Sequence, residues 1–98
     1  MTKEQVRKYN DLKFHFVINE TEELRKQDIG YLGLKEGYEK VLRRYEIHTI
    51  GDLIDKWNEL HKFYNAGVVK VAHIRAAAFA YFMEEGVVKE TSLVQVAV

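Results

Sequence analysis

A chain of 98 residues without cysteine has room for one domain and none for disulfides or thiolate metal centres. Hydrophobic residues at 47% and charged residues at 31% exclude a disordered, solvating tail and describe a globular protein. Fifteen Lys and Arg against fifteen Asp and Glu leave no net field to attract nucleic acid, so any such contact must come from a local patch.

No apolar run approaches the roughly 18–20 residues of a membrane span, and the opening MTKEQVRKYND lacks the form of a signal peptide. A cytoplasmic protein is expected. Val6, Tyr9 and Lys13 have helical spacing and predict a short opening helix. Residues 12–18 then alternate, with Leu12, Phe14, Phe16 and Ile18 on one side, as a strand would. Asn19 followed by Glu22 has the spacing of a capping box and predicts a helix running to about Asp28.

Gly30 and Gly33 break the chain before the next helix, 36–45. There Tyr38, Val41, Leu42 and Tyr45 form an apolar stripe, while Glu36 with Lys40 and Glu39 with Arg43 pair four residues apart on the other side. Thr49 and Asp52 have the spacing of an N-cap pair, from which Ile50, Leu53 and Ile54 point inward. A third helix, 56–63, carries Trp57, Leu60 and Phe63, and Asn65-Ala66-Gly67 makes a tight turn. The last helix, 68–84, is the most apolar: Val71, Ile74, Ala78 and Tyr81 make one stripe, Ala76, Ala77 and Ala80 permit close approach, and Gly86 can close it. Residues 92–98 alternate again. An unpaired strand exposes its backbone groups, so pairing of 12–18 with 92–98 in a small two-stranded sheet is expected, within one chain or between two. The fold class is therefore mainly α, a compact bundle of four to five short helices in a single domain, 1–98.

Leu32-Gly33-Leu34, Tyr38, Leu42, Ile47-His48-Thr49-Ile50-Gly51-Asp52-Leu53-Ile54 and Asn65-Ala66-Gly67, taken in series, resemble the carboxy-terminal domain of the bacterial RNA polymerase alpha subunit. The resemblance covers 29–84 and implies a helix-hairpin-helix core. It also implies a transcription-related module that grips the minor groove of duplex DNA through its first helix and the hairpin glycine. Residue by residue, Gly67 keeps the hairpin glycine and Lys40 stands at the family's asparagine, but Gly37 occupies the position of the inserted arginine. Val68 and Val69 replace two lysines, Lys70 replaces a serine, and Lys35 replaces the serine that caps the first helix. A narrow minor groove rewards an inserted arginine, so its loss removes much of the family's grip.

A second basic set is available: Lys35, Lys40, Arg43 and Arg44 on the first helix, with Lys70 after the hairpin. The interleaved Glu36, Glu39 and Glu46 make a merely solvated face the competing reading. Val68 and Val69 suit either an apolar contact or the core. Tyr31, Tyr38, Tyr45, Trp57, Phe63 and Tyr64 have core and core-rim spacings, whereas Phe79, Tyr81 and Phe82 cannot all face one side of a helix, which makes Phe79 and Phe82 candidates for a protein contact.

His15, His48, His61 and His73 lack metal-ligand spacing, Ser92 is the sole serine, and no phosphate-cradling glycine motif occurs. No catalysis, cofactor, metal or small-molecule substrate is expected, and His48 is expected at the surface. Two functions remain: a module binding duplex DNA, or one that contacts a protein or a second copy of itself.

Overall fold

In a computed structural model, the described residues are 2–10, 21–63 and 67–86, and they form five α-helices with two 3-10 turns. In order these are α1 (Lys3–Asn10), α2 (Glu22–Lys26), a 3-10 turn (Ile29–Leu32), α3 (Glu36–Arg44), α4 (Ile50–Asp55), a second 3-10 turn (Trp57–Lys62) and α5 (Val68–Glu84). The mainly helical class is as predicted. The expected strands 12–18 and 92–98, and Asn65 and Ala66 of the hairpin, lie outside the described residues. Among the described residues no helix is long and apolar enough to cross a membrane.

Local chemistry sets most boundaries. The cap of α2 is Thr21, whose hydroxyl accepts from the Leu24 amide at 3.1 Å, in place of the predicted Asn19, and the helix ends at Lys26. At the end of α3, Glu46 adopts a left-handed backbone (φ 64°) while the Ile47 amide reaches back to the Leu42 carbonyl at 3.0 Å. This is the arrangement that usually recruits glycine. Here the strain of a glutamate in that conformation is offset by carrying Ile47 into full burial.

The Thr49–Asp52 pair forms a complete capping box, with Asp52 N donating to Thr49 Oγ1 at 3.1 Å and Thr49 N to Asp52 Oδ2 at 3.2 Å. The His48 amide adds a second bond to the same carboxylate at 3.1 Å. Partial burial pushes the Asp52 pKa up, but the His48 and Thr49 amides outweigh it and hold the carboxyl below its usual value. A carboxyl depressed in the folded state contributes stability that is present above its unfolded pKa and is lost as pH falls through the folded one. Stability should therefore decline as pH drops below about 4, and Asp52→Asn should flatten that decline while lowering stability at neutral pH. Urea titrations of both proteins across the acid range check this, and parallel acid limbs would contradict it.

Two further bonds tie the segment before α3 to the segment before α4: Ile50 N to Gln27 O at 2.8 Å and Ile29 N to His48 O at 3.1 Å. Around this staple lies one core, built from Ile29, Leu42, Ile47, Ile50, Leu53 and Trp57 against Val71, Ile74 and Phe82 of α5. The helix predicted at 56–63 is a 3-10 turn that nonetheless buries Trp57 and Leu60 as expected.

Helix α5 is enclosed on several sides, because α1 packs along it as well as the core. Phe79 and Phe82, expected in a protein contact, are buried within the chain at 7% and 0% exposure. They lie three residues apart and so share a face, leaving Tyr81 half-buried at the rim. Tyr31 departs from the core-rim reading in the other direction and is exposed.

Candidate nucleic-acid interface

Tyr38 sits one turn into α3, with its ring packed against the core. Gly33, with φ 65°, ends the preceding 3-10 turn, and the chain then runs extended into α3 through Lys35, which provides no side-chain cap. Lys35 and Tyr38 are three residues apart and therefore neighbours on the helix surface, and the Lys35 Nζ lies 5.8 Å from the Tyr38 ring centre.

From the opposite side comes α5. Its third residue, Lys70, places Nζ at 5.8 Å from the same ring, and the His73 ring lies 5.7 Å from it at a 41° tilt. Two ammonium groups and an imidazole, from segments far apart in sequence, thus converge on one aromatic ring. Each ammonium–ring contact contributes about 0.5–1 kcal/mol at an exposed site, enough to orient a lysine without withdrawing it from water. Among the described residues neither lysine has a carboxylate partner. A shallow groove lined by Leu34, Lys35, Tyr38, His73 and Ala77 runs beside them.

The start of α5 adds to the positive character. Gly67 is its N-cap with no side-chain acceptor, the first turn carries no acid, and the first intrahelical bond is Val71 N to Gly67 O at 3.0 Å. The amides of Val68, Val69 and Lys70 therefore have no acceptor within the helix, and they coincide with the positive end of its dipole. Val68 and Val69 are 67% and 50% exposed, which settles the choice left open by the sequence: they are surface, not core.

The other predicted cations are distributed differently. Lys40 pairs with Glu36 at 3.0 Å on the exposed side of α3. Arg43 is committed to the fold, donating to Asp28 at 2.8 Å and to Glu39 at 3.4 Å. The bond from Arg43, with the Gly30 amide, holds the Asp28 carboxyl below its ordinary value, and Asp28 in turn raises the guanidinium. Arg44 is exposed near the end of α3 and is not among the side chains around Tyr38. Of the six predicted positions, the structure brings Lys35 and Lys70 to one ring, with Gly67 three residues before Lys70 at the start of α5. Tyr38 and His73, which complete the cluster, were read as apolar stripe and isolated histidine. The signal available was the three-residue spacing of Lys35 with Tyr38 and of Lys70 with His73, which places each pair on one helix face.

Comparison with family models, curated proteins and solved structures finds no match to this chain.

Proposed function

We propose that this chain is a small non-enzymatic module of helix-hairpin-helix type that binds duplex DNA through the Lys35–Tyr38–Lys70 face, in a transcription-related setting and within the cytoplasm. The observation that carries the reading is the convergence on Tyr38 of two ammonium groups without a carboxylate partner among the described residues, 5.8 Å from its ring in each case. Phosphates are met by such charges and by free amides at a helix start, and these contacts position a duplex without reading its bases. Gly37, standing where the resemblance would place an inserted arginine, leaves this face a backbone grip with little sequence preference.

Binding should be weak and steeply dependent on salt. In fluorescence anisotropy with a short AT-rich duplex, the plot of log affinity against log salt should lose about one unit of slope for each of Lys35→Ala and Lys70→Ala. Lys62→Ala, on the exposed side of the second 3-10 turn, should leave the slope unchanged. No anisotropy change at high micromolar protein and about 50 mM salt would refute the reading.

The second reading, a protein-contact module, draws on the exposure of Val68 and Val69. Two β-branched side chains exposed at a helix start serve an apolar contact better than a phosphate, and association insensitive to DNA would favour it.

A further inference from the structure

The two ends of α5 are opposites. At its start, exposed Val68 and Val69 share the first turn with Lys70, and Lys35 reaches the same Tyr38 ring as Lys70. At its close, half-buried Tyr81 has Glu84, Glu85 and the exposed Tyr31 near enough to act on its phenol, whose pKa is raised by burial first and then by these neighbours. A groove beside Tyr81 is lined by Glu23, Leu24, Gln27 and Glu85. The dipole of α5 reinforces both signs, positive at its start and negative at its close. Along α5 itself Lys70 and Glu84 stand about 21 Å apart, well beyond a Debye length at physiological salt.

We propose that the valine end of one molecule docks on the Tyr31–Tyr81 end of another, so that copies of this chain associate head to tail. The charges select this geometry over a two-fold dimer. A symmetric contact through the valines would set Lys35 and Lys70 against their own copies, and one through the tyrosines would set Glu84 and Glu85 against theirs. The head-to-tail contact instead covers exposed apolar side chains on both partners while bringing opposite charges together. Such a contact uses different patches on the two molecules and leaves one of each unsatisfied, so it propagates into rings or open chains. It also covers the face assigned above to DNA, and duplex and self-association would exclude each other. The inference does not depend on that assignment, since it requires no nucleic acid.

Sedimentation velocity on the full chain, without DNA, tests it. The sedimentation coefficient should rise with concentration at low salt and fall back to the monomer value at high salt. K35E/K70E and E84K/E85K should each be monomeric alone, and an equimolar mixture should associate again, because the basic head of one then meets the acidic tail of the other. All four reversals place an acid at a helix start or a base at a helix end, which the dipoles favour, so the fold is expected to survive and circular dichroism confirms it. Should a reversal unfold the chain, V69S and Y31S, both at exposed sites, must each weaken association by at least several-fold. A wild-type protein that stays monomeric at millimolar concentration and low salt overturns the proposal, as does association lost in one reversal and kept in the other. Neither result touches the DNA titration, which reports on the Lys35–Lys70 face alone.

Discussion

Arg75→Ala is expected to lower the unfolding free energy by about 3–5 kcal/mol, through the loss of two charge-assisted hydrogen bonds, a large share of the 5–15 kcal/mol typical of a domain. Arg75 lies in the middle of α5 with 2% exposure. Its Nη1 donates to the Asn10 carbonyl at 2.9 Å and its Nη2 to the Trp57 carbonyl at 2.8 Å, while the guanidinium carbon rests 5.8 Å from the Trp57 ring. Burial lowers its pKa, but a guanidinium does not shed its proton, and among the described residues its Nε has no hydrogen-bond partner. Among the described residues the buried charge is satisfied by carbonyl dipoles and an aromatic face, and no carboxylate pairs with it.

Two effects compete when it is removed. Relieving an incompletely solvated charge is favourable, whereas losing two charge-assisted hydrogen bonds at about 1.5–3 kcal/mol each, and leaving a cavity, is not. The second sum is larger. Arg75→Met keeps most of the volume and should recover part of the loss, perceptibly but not fully, because methionine cannot replace the two donated hydrogen bonds. The damage should also be local: α1 buries no residue of its own and is fastened by the Asn10 carbonyl and by Asn10 Nδ2 to Val68 O at 2.9 Å. Urea denaturation gives the total, and hydrogen exchange of residues 3–10 should show α1 released well below the global transition. An Arg75→Ala protein within about 0.5 kcal/mol of the parent would mean that the charge's desolvation had cancelled its bonds.

Arg75 also shows where sequence reading fails. A polar residue inside an apolar helix carries no local sign that its partners are a carbonyl 65 positions earlier and another 18 positions earlier. The features that were legible are those decided within one or two turns. Tyr38, Val41 and Leu42 are three and four residues apart and face the core as their period requires, and the Thr49–Asp52 box closes over three residues. The boundaries of α5 follow from Gly67 before it and Gly86, at φ 69°, after it. The 3-10 form of 57–62 was not legible, because the choice between bonding three or four residues back is made by how Trp57 and Leu60 must enter the core, not by their spacing alone.

The candidate site divides in the same way. Its lysines were visible as residue types, but the sequence offered five cations and no means of ranking them. Tertiary contacts do the ranking. Asp28, brought to Arg43 by the turn at Gly30, takes that arginine into the fold, while Lys70, 32 positions from Tyr38, becomes its neighbour. The exposure of Val68 and Val69 depends likewise on tertiary packing, since Val71 and Ala72, the next apolar residues of the same helix, are buried. A helix apolar on nearly every face does not disclose which faces will be covered.

Gly51→Leu should be the second severely destabilising change, by about 3 kcal/mol, through crowding instead of a lost bond. Gly51 is buried where α4 crosses α2, and a Cβ there would stand 3.0 Å from both the Cβ and the backbone oxygen of Arg25. A side chain could swing aside; a backbone oxygen moves only if α2 moves with it. Yet α2 is held close by Ile50 N to Gln27 O at 2.8 Å and by the Arg25–Asp55 pair at 2.7 Å. Any accommodation therefore strains the staple that joins the two halves of the core. Gly51→Ala separates the contributions, because alanine gains about 1 kcal/mol in helix preference while adding one methyl to the contact. Its net loss should be small, with the larger leucine far outside anything propensity can offset. If crowding against Arg25 is the cause, Arg25→Gly should relieve the part due to its Cβ and leave the part due to its carbonyl, giving a coupling between the two sites in a double-mutant cycle. Additive effects, or unchanged hydrogen exchange across 22–26 in the leucine variant, would show that α2 does not bear the strain. In either case the Tyr38 cluster lies on α3 and α5, away from this crossing, so Gly51 variants that remain folded should keep the salt dependence assigned to Lys35 and Lys70.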